Sequence, residues 1–137
     1  MSVTYVPAEL RRLVRERAKD LCEYCHISES ATFAVHQIDH IVAEKHGGAT
    51  SEDNLALCCT LCNRHKGTDL ASIDPQTGEI VPLFHPRRHR WSEHFRAEGP
   101  RLLPLTATAR ATVTLLGLNH AARLTERTTL ALSRPKP

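Results

Sequence analysis

An α+β fold is predicted: a helix, a two-stranded hairpin and a second helix, followed by a mainly helical extension. Three observations predict it. Two Cys-x-x-Cys pairs, Cys22/Cys25 and Cys59/Cys62, stand 33 residues apart, the arrangement in which two knuckles each offer two thiolates to one tetrahedral Zn²⁺. Between them lie two β-branched or apolar runs, Phe33 to Val42 and Leu55 to Cys58, separated by the breaker-rich "EKHGGATSED"; runs bounded in this way read as strands. Outside them, apolar residues recur with a helical period.

Taken in order, Pro7 suits a first helical turn, and Leu10, Leu13, Val14, Ala18 and Leu21 share a face with charges opposite, which predicts a helix over about residues 7–20. The strands follow. "TLCNRHKG" suits a short helix with Thr60 near its N-cap and Gly67 as its stop. Beyond it, Asp74 to Gly78 reads as a turn, Ile80 to Phe84 as an extended segment, and the only Trp, Trp91, as a residue that packs across the small core. A helix is expected over Thr106 to Leu118, and another, capped by Asn119, through about Leu132, with "SRPKP" as a tail unable to bury itself. The division is therefore 1–70, the N-terminal helix plus metal-stapled core, and 71–137, an extension packed on it.

Composition narrows the function classes. Lys and Arg outnumber Asp and Glu by 18 to 15, a balance too even to argue for a polyanionic partner. The basic residues are clustered, however, at Arg11-Arg12, at Arg15 and Arg17 to Lys19, at Arg64 to Lys66 and at Arg87 to Arg90. Aromatics make up only 4% of the chain, so a metal would supply folding energy that the core lacks. No stretch has the length of a signal peptide's apolar run or of a membrane span; a cytoplasmic protein without a membrane partner is expected. In a reducing compartment the five cysteines do not read as a disulfide framework. A thioredoxin-like redox pair would need a βαβ context that is missing. Cys58, the odd one, reads as a small core hydrophobe, with a Cys58/Cys62 register as the alternative.

A metal held by four cysteines also has a topological consequence. It ties the end of the first helix to the start of the next, which folds the intervening strands into a hairpin. Asp39 and His40 near the end of the first strand, Asn54 before the second and Asn63 after the last cysteine then become neighbours.

The string "IDHIVAEKHGGATSEDNLALCCTLCNRHKG" resembles the active-site motif of the HNH endonucleases, whose ββα-metal (His-Me finger) fold is a hairpin and a helix around one divalent ion. The resemblance implies His40 as the general base, Asp39 as a ligand of the catalytic ion, Asn54 as the residue that fixes the loop behind the base, and Asn63 as the second ligand. Asparagine at this last position gives the H-N-N form, and its oxygen donor suits Mg²⁺ or Mn²⁺ better than a catalytic Zn²⁺. His65, two residues on, is the alternative ligand.

The chemistry asks for these residue types independently. Phosphodiester hydrolysis needs an activated water, for which a neutral imidazole is well matched, and positive charge where the phosphorane and the leaving oxygen become negative. Arg64, Lys66, His65 and, in the glycine loop, His46 are candidate contacts to nucleic acid; a solvated helix face is the plainer reading of the first three. His36 is expected to be structural. The implied partner is DNA, double-stranded, cut to 5′-phosphate and 3′-hydroxyl ends, with a homodimer if both strands are cut. The competing reading is a zinc-stapled nucleic-acid-binding module without catalysis, which would have no use for Asp39, His40, Asn54 and Asn63 together.

Overall fold

Residues 5–133 are described by a computed structural model. Helix α1 spans Ala8–Ala18, strand β1 Gln37–His40, strand β2 Leu55–Cys58 and helix α2 Thr60–Lys66. The extension contributes β3 (Ala71–Ile73), β4 (Ile80–Pro82), the short α3 (Trp91–His94), β5 (Phe95–Glu98), β6 (Arg101–Pro104), α4 (Ala107–Leu116) and α5 (Ala121–Ser133). The strands form three antiparallel pairs, β1 with β2, β3 with β4 and β5 with β6.

Pro7 is the N-cap of α1 rather than a residue of its first turn. After Ala18 the chain turns through two consecutive left-handed residues, Lys19 and Asp20, whose amides return to Glu16 and Arg15 carbonyls. That reversal delivers Cys22 to the core. Arg15 and Arg17, read as part of a basic cluster, are engaged by the protein itself: Arg15 pairs with Glu29 and donates to the His36 carbonyl, and Arg17 donates to the Glu52 and Leu55 carbonyls.

In the first hairpin Gln37 faces Cys58, Ile38 faces Leu57, Asp39 faces Ala56 and His40 faces Leu55. All four residues of β2 are buried because both its faces are covered. Leu55 and Leu57 pack with Val14, Leu10 and Ile38 beneath α1, whereas Ala56 and Cys58 join a larger cluster that includes Tyr24, Phe84, Phe95 and Leu116. The predicted strand from Phe33 shrinks to begin at Gln37. The His36 amide is taken by the Glu29 carboxylate and its carbonyl by Arg15, so neither can join a ladder, and Phe33 and Val35 are exposed. The His36 ring, bonded to the Ile27 carbonyl, is a buried structural group.

The N-cap of α2 is Cys59, one residue before Thr60, and Gly67 ends the helix with a positive φ. Besides its helices the extension holds two hairpins, β3 with β4 where Asp74 to Phe84 reads as a turn and an extended segment, and β5 with β6 where no strand is predicted. Nor does Asn119 cap α5: its side chain bonds both the amide and the carbonyl of Leu102, fastening β6. Trp91 does pack across the core, stacked on His26 and donating to the Tyr24 carbonyl. Residues of the metal-stapled part and of the extension share one buried cluster. The end of the predicted tail, 134–137, lies outside the described residues. Among the described residues no helix is long and apolar enough to cross a membrane.

One ion pair anchors the extension. The Asp74 carboxylate, with no exposed surface, accepts 2.8 Å bonds from Arg110 Nε and Nη2 and further bonds from the Gln76 amide and the Thr77 hydroxyl. The guanidinium holds Asp74 well below the usual carboxylate range. Its contribution to stability is therefore present above the unfolded-state pKa of about 3.9 and is lost as pH falls through the lower folded-state value. Asp74→Asn is expected to lower the urea midpoint at pH 7, and the gap between wild type and variant is expected to narrow as pH falls from 4 toward 2; an equal difference at pH 7 and pH 2 would refute this.

Candidate metal centre and active site

Cys22 and Cys25 follow α1, and Cys59 and Cys62 open α2. Their four sulfurs lie within 4.8 Å of one another, all are buried and none is in a disulfide. Cys25 Sγ and Cys59 Sγ are 3.8 Å apart. A tetrahedron with metal–sulfur bonds of about 2.3 Å has edges of about 3.8 Å, so the cluster fits a zinc-sized ion. Both knuckles orient their sulfurs with backbone amides: Cys25 N donates to Cys22 Sγ and Cys62 N to Cys59 Sγ. Cys58 is buried nearby but stands outside the four-sulfur group.

Between β1, the following loop and α2 opens a cleft of about 480 Å³ lined by Asp39, His40, Glu44, Lys45, Asn63 and Gly67 among others. His40 ends β1 and is 7% exposed. Its Nε2 is 2.8 Å from the Thr50 hydroxyl, with Glu44 at 3.9 Å. Asp39, 6% exposed, receives the Tyr24 hydroxyl at 3.0 Å and the Lys66 ammonium at 3.1 Å, both on Oδ2. Burial pushes the Asp39 carboxyl up, and Lys66 and Tyr24 oppose the shift; burial, then the charge of Asp39, pushes the Tyr24 phenol well above its ordinary value.

The loop behind His40 is closed by Asn54. Its Oδ1 accepts from Val42 N, and its Nδ2 donates to the Val42 and Ala49 carbonyls, all at 2.9 Å. Gly48 is required there, since a Cβ would fall 1.7 Å from the Val42 carbonyl oxygen. Asn63 Nδ2 donates to Gln37 across the cleft.

Other candidates are placed differently. Lys66 is 2% exposed and spends its ammonium on Asp39 and the His40 carbonyl, so it is a buried counter-ion rather than a phosphate contact. His65 turns toward the extension, bonding the Leu116 carbonyl through Nδ1 and meeting His120 edge-on. The helical period explains this: Asn63 and Lys66 are three positions apart and share the face toward β1, while His65 falls on the opposite side. The His65 ring is thus engaged with the extension and does not share the face of α2 that carries Asn63. Arg64 is exposed, and His46 is exposed on the loop with Nε2 near the Thr68 carbonyl. Thr50 and Tyr24 were missed, Thr50 because a loop hydroxyl carries no spacing signal and Tyr24 because it reads as knuckle filler.

A hairpin and a helix stapled at four cysteines, with an acid and a histidine at the cleft between them, define the ββα-metal class. Residues 22–69 match the family model described as HNH endonuclease, so the chain carries an HNH domain over that stretch. The match associates it with nuclease or nucleic-acid-related function. Searches of curated proteins and of solved structures found no match to the chain.

Proposed function

We propose that the chain is a metal-dependent HNH endonuclease acting on DNA. The observation that carries the reading is the held imidazole: His40, tethered at Nε2 by Thr50, lines the same cleft as Asp39 and Asn63. In the tautomer that donates Nε2–H to the Thr50 hydroxyl, Nδ1 carries the lone pair that would take a proton from water. The new bond forms between water oxygen and phosphorus, the bond to the 3′-oxygen breaks, and the 3′-oxygen leaves to pick up a proton. Asn54 keeps the loop bearing Thr50 at a fixed distance from the base.

Asp39 and the amide oxygen of Asn63 form a hard donor pair suited to Mg²⁺ or Mn²⁺, which when bound would supply positive charge to the phosphate. Lys66 already compensates the Asp39 charge, so protein donors alone would hold such an ion weakly, and the substrate phosphate would complete its shell. The four cysteines would hold a structural zinc, a closed set with no position left for substrate. A second groove, of about 410 Å³, shares Val6, Gln37 and Ile38 with the cleft and carries Arg11 and Arg12 of α1. It offers a phosphate backbone a basic path into the site. Arg64 extends that charge on the α2 side.

The test is cleavage of supercoiled plasmid with Mg²⁺, Mn²⁺ or EDTA. His40→Ala is expected to lower nicking by roughly 10²- to 10⁴-fold while keeping zinc and fold, with a smaller loss for Thr50→Val. Equal cleavage by wild type and His40→Ala would sink the assignment of the base. DNA binding with no cleavage by either would favour the non-catalytic module.

A further inference from the structure

The cysteine cluster has a fifth partner. Arg123, in the first turn of α5, is 2% exposed. Its Nη1 lies 3.2 Å from Cys25 Sγ and from Cys59 Sγ, and its Nη2 lies 3.2 Å from Cys62 Sγ. The guanidinium thus lies against three of the four sulfurs. Those contacts join residues 98, 64 and 61 positions apart.

Charge explains why an arginine belongs there. Four thiolates around a divalent ion leave a net charge of about −2, and a buried dianion is costly unless it is paired and hydrogen-bonded. The knuckle amides serve Cys22 and Cys59. Cys25 and Cys62 receive their N–H donors from Arg123. A planar guanidinium can address three acceptors at once, which an ammonium on a flexible stem does poorly.

The dependence also runs the other way. Among the described residues of α5 whose burial is defined, Arg123 alone is buried. Arg127, one turn on, donates to the Cys25 and Pro100 carbonyls. The helix is therefore docked mainly through arginines directed at the first knuckle and the sulfurs, and much less through an apolar face. Without an ion to gather the sulfurs, the buried guanidinium would lose the set of acceptors that it now meets.

We infer that Arg123 is the charge-neutralising outer partner of the four-cysteine metal centre, and that metal loading is what docks α5 on the HNH domain. It is a positioning residue, acting through the metal site and touching no substrate. The inference rests on the zinc reading and is independent of nuclease activity.

Two measurements test it. Zinc transfer to a chromophoric chelator should show Arg123→Leu binding zinc roughly 10- to 100-fold more weakly than wild type, with Arg123→Lys in between. In Co²⁺-loaded protein the thiolate-to-metal charge-transfer band should shift in both variants. Hydrogen exchange on zinc-loaded Arg123→Lys against zinc-loaded wild type should show residues 121–131 losing protection while residues 37–40 and 60–66 keep theirs, and this readout stands even if Arg123→Leu does not fold. Unchanged zinc affinity in Arg123→Leu, or unchanged protection of 121–131 in Arg123→Lys, would overturn the inference. A wild-type chain that takes up no zinc would overturn it too, while leaving the plasmid result to judge the nuclease reading.

Discussion

Cys62→Ser is expected to unfold the HNH domain at ambient temperature, and exhaustive chelation of the wild-type chain is expected to do the same reversibly. Structural zinc in small domains contributes on the order of 10–16 kcal/mol of apparent binding energy, whereas a whole domain is stable by only about 5–15 kcal/mol. Losing the ion therefore outweighs everything else in this aromatic-poor core. The cysteines are also where the knuckle after α1, the start of α2 and helix α5 converge, through the knuckle amides and Arg123. Cys58→Ala provides the contrast. That thiol is buried but outside the four-sulfur group, so its loss should cost only the about 1–2 kcal/mol of a small cavity and leave one zinc per chain. Circular dichroism melts with metal content measured on the same samples would decide. A Cys58→Ala protein that loses its zinc would mean that Cys58 is a ligand.

Lys66→Met should be the most damaging single change behind the cleft. It would leave the Asp39 carboxylate, 6% exposed, with the Tyr24 hydroxyl and no cation. Removing one partner of a buried ion pair costs about 3–5 kcal/mol, because the remaining charge is neither hydrated nor balanced. Removing the charge of the other partner as well relieves most of that penalty, so Lys66→Met/Asp39→Asn is expected to be more stable than Lys66→Met alone. A double-mutant cycle by urea denaturation measures the coupling. Were Lys66 an exposed phosphate contact instead, Lys66→Met would leave stability within about 0.5 kcal/mol of wild type.

The two predictions draw on different kinds of legibility. The metal cluster, the hairpin around the Gly47-Gly48 loop and α2 could be read from spacing, because each depends on residues a few positions apart whose geometry the backbone largely dictates. The extension could not be read so well. β5 and β6 form around Gly99 with exposed Arg96, Glu98 and Arg101 on them, so they lack the apolar alternation that marks a strand, and they exist because Phe95 and Leu102 find the shared core.

By itself the sequence determined the knuckle pairs and the Asp-His pair on its short strand, because these are local arrangements of chemically distinctive residues; for the asparagine that bonds the loop behind it, the sequence offered only the resemblance to the HNH motif. Only the tertiary structure decided that Lys66 faces inward to Asp39, that His65 faces away, that Thr50 holds the imidazole and that an arginine near the far end of the chain rests on the sulfurs. Each of these depends on which side of an element a side chain takes and on what a distant segment places opposite it. For a charged group that placement decides between a solvated contact and a buried counter-ion, since desolvation makes the charge costly until a partner from elsewhere in the fold meets it.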